Sequence, residues 1–390
     1  ALLYLLARLA VLGSLGRDPD TLMPAFNPLV PARLTPLGEL RGATPIESLL
    51  TPFALVAEAG RLLLWPARLS MDYSYEQLPL ASSLADPRVL AGLLLVAAAL
   101  AAALRGRRSA PALAFAAAFA LIAWLPTANA LVPIGTLFAE RLLYLPSAGA
   151  LLALALLGGR VAERRPALRS PLVVLLVAAV LAAGARTWAR NPDWADSGAV
   201  TAALVRDAPD SFLSHAARGT HLHVLAEREG SAPAAAALRR QALAELRASL
   251  EICPEYEQAN RAYIAACWAD GRPAEALAAY ARLAKLAPRD ARVHQGWALA
   301  LIELAPEAGE RAPAMLAEAR AHLERALALD PLDTDALYAR GLLLRGDPAE
   351  ASRALADLQA VLRLRPDHPE RAQIEDEIRQ LTAQPAGGGP

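Results

Sequence analysis

The stretch EYEQANRAYIAACWADGRPAEALAAYARLAKLAP, residues 255–288, decides how the second half of this chain is built. Small and apolar residues recur in it three and four apart, the spacing of one helix face. The pattern breaks at Gly271 and ends on Pro288, so it reads as two short helices joined by a tight turn. Ala276 falls where the two helices cross closely, and Tyr280 is a packing aromatic. A hairpin of this size cannot bury its apolar face alone and needs neighbours of its own kind.

Those neighbours are visible in the spacing of helix-ending prolines. Pro209, Pro254, Pro288, Pro331 and Pro366 are separated by 45, 34, 43 and 35 residues. A period of 34 is the signature of the tetratricopeptide repeat, and the longer units read as the same repeat with loops inserted. The last unit has Gly341, Ala354 and Leu358 in register. The third has Ala319, Leu323, Ala326 and Pro331, with its insertion around Pro306 to Pro313. The first has Gly219, Ala242 and Leu246, with its extra residues around Glu227 to Ala235. Residues 210–366 are therefore expected to form four repeats of an α-solenoid. A final helix and a disordered tail follow over 367–390, disordered after Gln380.

The first half has a different texture. Mean hydropathy over the chain is +0.29, and 55% of residues are hydrophobic against 20% charged; the apolar residues crowd toward the N-terminal side. About 20 apolar residues in a helix cross a bilayer. Four runs qualify or nearly do: Val89 to Leu104, Pro111 to Pro126, Leu142 to Gly159, and Pro171 to Ala185 with an extension through Thr187 and Trp188. Ile46 to Trp65 is apolar but carries Glu47, Glu58 and Arg61. It is read either as a span facing the protein interior or as an amphipathic helix at the interface. Glu58 and Arg61, three apart, lie on one helix side and can pair. Residues 1–15 read as the end of a further membrane helix. The fold class expected is all-α: a polytopic transmembrane domain over 1–190, a linker over 191–209, then the solenoid.

Arg105, Arg107 and Arg108 follow one span; Arg160, Arg164, Arg165 and Arg169 follow another. The positive-inside rule puts both linkers in the cytoplasm. Residues after Arg186 and the 67–87 loop then lie outside it, which in a bacterium means a multi-pass inner-membrane protein with periplasmic repeats. The formal net charge is +0, so no nucleic-acid partner is expected. Lys285 is the only lysine, a sign of coding bias rather than arginine-specific chemistry. Cys253 and Cys267 read as packed thiols, with a disulfide across a hairpin as the alternative. His221 and His223 are the one close histidine pair; no carboxylate or cysteine pattern around them suggests a metal.

Two stretches carry polar groups at membrane depth. One runs Trp65-Pro66-Ala67-Arg68-Leu69-Ser70-Met71-Asp72-Tyr73-Ser74-Tyr75. The other runs from Pro126 through Asn129, Glu140, Arg141 and Tyr144 to Ser147. Charges near hydrocarbon are expensive and indicate buried pairing or a substrate path. Glu140 and Arg141 are adjacent, so they point in different directions. Arg141 has the planar fork that grips phosphate; Glu140 either orients it or bonds elsewhere. The plain alternative is that both satisfy helix ends at the interface.

These stretches carry a resemblance. Phe26-Asn27-Pro28, Leu64-Trp65-Pro66, Leu69 to Ser74, Leu125-Pro126-Thr127, the run Ala139-Glu140-Arg141-Leu142-Leu143-Tyr144-Leu145-Pro146-Ser147, and Arg186 to Trp194 resemble the C-terminal part of the transmembrane and tetratricopeptide-repeat protein family. That family comprises O-mannosyltransferases of the multi-spanning glycosyltransferase-C class. The resemblance implies transfer of a sugar, often mannose, from a polyprenyl-phosphate carrier to Ser or Thr of an extracytoplasmic acceptor. The catalytic acids it implies belong to the first outer loop, upstream of these residues, and Asp72 is not their equivalent. Arg141 is then the lipid-phosphate contact, with Glu140, Tyr144 and Asp72 shaping one outward-facing cavity and the repeats holding acceptor or partner polypeptide. No cofactor follows firmly; a lipid-linked sugar is the donor implied, and a divalent metal is left open. Two other readings stand beside the enzyme: a non-catalytic membrane scaffold displaying repeats, and a subunit of a cell-envelope polysaccharide or export assembly.

Overall fold

The computed structural model of the chain describes residues 26–29, 33–35, 37–40, 42–67, 69–74, 77–130, 133–230 and 233–383. The expected membrane helix over residues 1–15 lies outside them. The chain divides into two compact units, one of residues 1–221 with 251–253, the other of 222–250 with 254–390.

The first unit begins with a short antiparallel ribbon, β1 (Arg33–Thr35) and β2 (Gly38–Leu40), paired Arg33 to Leu40. These are the only strands among the described residues; everything else regular is helical. Helix α1 (Pro45–Leu64) starts on a capping box. The Thr44 hydroxyl accepts the Glu47 N–H at 3.3 Å, and the Glu47 carboxylate accepts the Thr44 N–H at 2.8 Å. This satisfies two end groups that would otherwise be orphaned. Glu58 and Arg61 pair as their spacing requires, at 2.5 Å.

Helix α2 (Pro87–Ser109) is capped by Asp86, whose carboxylate accepts the Arg88 N–H at 2.8 Å. Helices α3 (Pro111–Trp124), α4 (Tyr144–Arg164) and α5 (Arg169–Arg190) follow. Three helical stretches are long and apolar enough to cross a membrane: Pro87–Ser109, Glu140–Arg164 and Pro166–Trp194. The α3 run does not reach that length. It is regular for 14 residues and continues only as a tight turn, Leu125–Thr127. Pro126 is the reason, because it supplies no N–H and disfavours helix in the residue before it. At about 1.5 Å per helical residue and about 2 Å in the turn, α3 rises about 27 Å, a little less than the hydrocarbon core.

Helices α1 to α4 pack pairwise in chain order. Small residues make the crossings close. A Cβ at Gly92 of α2 would stand 1.9 Å from the Phe53 carbonyl oxygen of α1, and one at Gly149 of α4 would stand 2.7 Å from the Ala116 carbonyl oxygen of α3. Without a hydrophobic drive between helices in lipid, such close backbone approach is how they associate. Helix α5 buries no residue, and Val174, Leu175, Leu176 and Leu181 stand open on it. An apolar helix exposed all round is a lipid-facing one.

After α5 come the turn Asn191–Trp194 and helix α6 (Ser197–Asp207), which occupy most of the expected linker. An ion-pair network holds this junction. Arg206 binds both oxygens of Asp193 at 2.8 and 3.0 Å, and Arg190 meets Asp207 at 2.8 Å. Helix α7 (Phe212–Glu229) then opens the repeat half, with the Ser211 hydroxyl accepting the Ser214 N–H at 3.1 Å as its cap.

The repeats continue as α8 (Pro233–Ile252), α9 (Glu257–Ala269), α10 (Pro273–Leu286), α11 (Ala291–Leu304), α12 (Ala312–Leu329), α13 (Thr334–Leu344), α14 (Ala351–Leu364) and α15 (Arg371–Ala383). From α9 to α15 each helix packs on the next, the arrangement of a helical-repeat stack. Gly271, at the turn of the 255–288 hairpin, has φ +67°, which a side-chain-bearing residue rarely adopts. Ala276, Ala319, Ala326 and Ala354 are fully buried at the crossings, with Leu283, Leu323 and Leu358 between them. A Cβ on Gly341 would stand 2.9 Å from the Leu358 side chain, which explains its place in the first helix of the last unit.

The structure refines three details of the sequence reading, the second of them where it was expected. The extra residues of the first unit mostly lengthen its helices, α7 to Glu229 and α8 from Pro233, because only Gly230 (φ +62°) breaks the helical run among the described residues there. The third unit's insertion is a pair of tight turns, Ala305–Glu307 and Gly309–Arg311. Helix α15 runs past Gln380 to Ala383, burying Ile374 and Leu381; the rest of the expected tail lies outside the described residues. Cys253 and Cys267 are both buried, and burial pushes the Cys267 thiol up to about 11.

Within α11 and α12, His294 and His322 stack, their Nδ1 atoms 3.1 Å apart, and His322 also stacks on Trp297 at 4.0 Å. One Nδ1 must donate and the other accept, so the accepting ring must be neutral. Burial, reinforced by His294, pushes His322 down to about 4. Its folded value is thus below the unfolded value of about 6.5, so the unfolded chain takes the proton first. The stability that His322 contributes is full above about pH 6.5 and is lost as pH falls through about 4, on the order of 2 kcal/mol once its partial exposure is allowed for. Thermal unfolding between pH 7.5 and 4.5 is expected to show that decline, and His322→Phe, which keeps the stack on Trp297, to flatten it.

Candidate functional site

The two polar stretches come together through Glu140. Its carboxylate Oε1 accepts the Ser70 backbone N–H and the Tyr73 hydroxyl, each at 2.7 Å. Tyr73 is buried, with its ring edge-on to Phe138 at 5.0 Å, and Phe138 in turn meets Trp124 at 6.4 Å. Burial and the bond to Glu140 raise the Tyr73 phenol above its usual range, so it stays protonated and remains a donor. Leu29, Leu55, Leu62 and Leu137 complete the apolar cluster beneath this contact. The Glu140 clamp therefore ties the 69–74 segment to the turn Glu140–Leu143 that opens α4.

Asp72 lies in the same segment but faces other partners. Its carboxylate accepts the Ser74 N–H at 3.1 Å, the Ser74 hydroxyl at 2.7 Å, and the Ser211 hydroxyl. Because Ser211 also caps α7, the first repeat helix begins on a residue tethered to this loop. Phe26 and Phe212 meet edge-on beside it, at 5.8 Å.

A third network organises the loop between α3 and α4. Asn27 is 1% exposed and Asn129 6%. The Asn27 amide donates to the Asn129 side-chain oxygen at 2.9 Å and to the Ile134 carbonyl at 2.7 Å. Asn129 donates to the Thr136 and Leu137 carbonyls at 3.1 and 2.9 Å and accepts the Ile134 N–H at 2.7 Å. Asn129 holds φ +55°, the only positive φ outside glycine among the described residues. Asparagine tolerates that conformation better than other side-chain-bearing residues.

Of the four residues singled out from the sequence, Glu140 and Asp72 are thus brought to one segment, Asp72 through both carboxylate oxygens and Glu140 through Oε1. Arg141 and Tyr144 are not brought there. Arg141 is exposed and has no ion-pair or hydrogen-bond partner among the described residues. Tyr144 is 85% exposed, one turn further on. Ser211, Tyr73, Asn27 and Asn129 were not assigned roles by sequence reasoning. The Pro209-Asp210-Ser211 run ahead of an apolar helix was the available cue for the cap. Among the described residues no three His, Cys, Asp or Glu side chains converge as metal ligands. Glu140 and Asp72 already accept N–H and O–H donors and have no third ligand beside them among the described residues, which is too few for a divalent-metal site.

Fold and site together define an all-α protein with three membrane-length helices and a stack of short helices of the tetratricopeptide kind. Residues 44–100, which hold α1, the 65–86 segment and part of α2, match the family model described as "Protein O-mannosyl-transferase TMTC, DUF1736". Among solved structures, the chain is similar to the crystal structure described as "YrrB: a TPR protein with an unusual peptide-binding site". That likeness has a TM-score of 0.36 and 18% identity, over 45% of this chain and 80% of that one. No curated protein matches the chain.

Proposed function

We propose that the chain forms part of a membrane glycosyltransferase. It would move a sugar, mannose in the first instance, from a polyprenyl-phosphate carrier to Ser or Thr of an extracytoplasmic polypeptide, with the repeats holding that polypeptide. The observation that carries this reading is Arg141. Its neighbour Glu140 is locked to Ser70 and Tyr73, which fixes the turn and leaves the Arg141 guanidinium with no protein partner among the described residues. The family match over 44–100 supports the same reading from a different part of the chain.

In the reaction, the acceptor hydroxyl attacks the anomeric carbon and its proton passes to a base. The bond from sugar to phosphate breaks, and polyprenyl phosphate leaves. Arg141 would take the charge that grows on the departing phosphate. Glu140 would position it, and exposed Tyr144 would flank the lipid at the interface. Asp72 would act through Ser211, anchoring the start of the repeats. Both carboxylates serve here as tethers, through Glu140 Oε1 and both oxygens of Asp72, and the base is expected beyond the described residues. The basic linkers after α2 and α4 support, by the positive-inside rule and with α3 crossing as a short helix, a non-cytoplasmic side for this turn and the repeats, the periplasm in a bacterium.

One observation favours a second reading. Both carboxylates at the site tether chain segments together, which suits a non-catalytic membrane scaffold equally well. Transfer of radiolabelled mannose from polyprenyl-phosphate-mannose to acceptor protein separates the two, in membranes expressing the complete open reading frame. The transferase reading expects incorporation that falls about tenfold or more with Arg141→Ala. Incorporation no higher than in empty membranes would instead support the scaffold.

A further inference from the structure

Arginines of the repeat half commonly find carboxylates. Arg247 meets Glu275 at 2.9 Å, Arg261 meets Glu257 and Asp290 at 2.6 and 2.8 Å, and Arg340 grips both oxygens of Asp357. Arg282, on α10, is half-buried and has no carboxylate in reach among the described residues. Its Nε donates to the Asn260 side-chain oxygen at 2.9 Å. Asn260 is itself fully buried, and its amide is fixed by the Pro254 and Tyr256 carbonyls at 2.8 and 3.0 Å. The guanidinium is thereby held rigidly from one side. Its two terminal nitrogens have no partner among the described residues and neither is completely enclosed, so the fork is left open to a further acceptor. Burial lowers the pKa of Arg282, the mark of a cation losing hydration with no counter-charge in return.

We propose that Arg282, oriented by Asn260, receives the carboxylate of an acidic side chain on a polypeptide lying against the α9–α10 hairpin. The proposal rests on the reading of the repeats as a polypeptide-holding surface and adds a preference for acidic segments. A carboxylate suits the fork because it is planar and singly charged. A phosphate dianion would call for a second open cation, and nearby Arg261 is already neutralised by Glu257 and Asp290.

The test uses the full chain in detergent and fluorescence anisotropy with labelled poly(Ala-Glu) and poly(Ala-Gln) peptides. The acidic peptide is expected to bind at least about tenfold more tightly. That preference should vanish in Arg282→Gln and survive in part in Arg282→Lys, which keeps the charge without the fork. Unfolding midpoints establish that each variant is folded; should Arg282→Gln not fold, the Lys variant carries the comparison. Inorganic phosphate should displace the acidic peptide no better than chloride at equal ionic strength. A preference that persists in Arg282→Gln, or specific displacement by phosphate, overturns the proposal. Equal binding of both peptides to the wild type overturns the acidic site while leaving the polypeptide surface standing; binding of neither overturns both.

Discussion

Replacing Asn129 by alanine is expected to destabilise the protein by about 3–5 kcal/mol, among the largest effects of any single substitution in the first unit. The side chain makes four hydrogen bonds, to Asn27, Ile134, Thr136 and Leu137, in a site only 6% exposed. Truncation takes the partner from the buried Leu137 carbonyl and from the half-buried Ile134 N–H and Thr136 carbonyl, at about 1–3 kcal/mol for a buried group left unpaired and less for a half-buried one. Alanine also fits φ +55° less well than asparagine does. Asn129→Gly separates the two contributions, since glycine accepts the dihedral and makes none of the bonds. Thermal unfolding in detergent should rank wild type above glycine and glycine above alanine. An alanine variant melting with the wild type would show that the network does not hold the loop.

Gly92→Ala is the second large expectation. The added Cβ would sit 1.9 Å from the Phe53 carbonyl oxygen and 2.6 Å from its carbon, both backbone atoms that cannot rotate away. Helices α1 and α2 must then separate by more than an ångström, which opens the cluster of Leu50, Ala54, Ala81 and Val89 at their contact. Overpacking of this kind costs about 1–3 kcal/mol or more, and Gly92→Leu should cost more still. Gly158→Ala in α4 is the matched control, because nothing lies within 4 Å of its Cβ position; it should change stability by less than about 1 kcal/mol. Equal melting of Gly92→Ala and Gly158→Ala would refute the close α1–α2 packing.

What could be read from sequence was what repeats or runs locally. Pro254, Gly271, Ala276, Tyr280 and Pro288 mark a hairpin by spacing alone, and the apolar lengths of α2, α4 and α5 mark membrane helices. What was hidden depends on partners distant in the chain. Glu140 was visible as a costly charge, but that it would be taken by Ser70 and Tyr73 has no local signature. Asp72 meeting Ser211 is of the same kind. The run Pro111 to Pro126 was legible as a near-span, and the structure has it as Pro111–Thr127, with Pro126 turning its last residues from regular helix into a tight turn. In the first repeat unit, surplus residues looked like a loop because period counting cannot tell a longer helix from an insertion. Arg282 gave no cue, since an arginine reads as exposed until its burial is known.

The functional account requires the Arg141 turn and the repeats to face one compartment and the basic linkers the other. Thiol labelling in intact cells tests this most directly, with cysteines placed singly at Arg107 and at the exposed Leu332 and with Cys253 and Cys267 changed to alanine. A membrane-impermeant maleimide is predicted to label position 332 without lysis and position 107 only after it. Labelling of position 107 in intact cells, with 332 protected, would put the repeats in the cytoplasm and contradict the account.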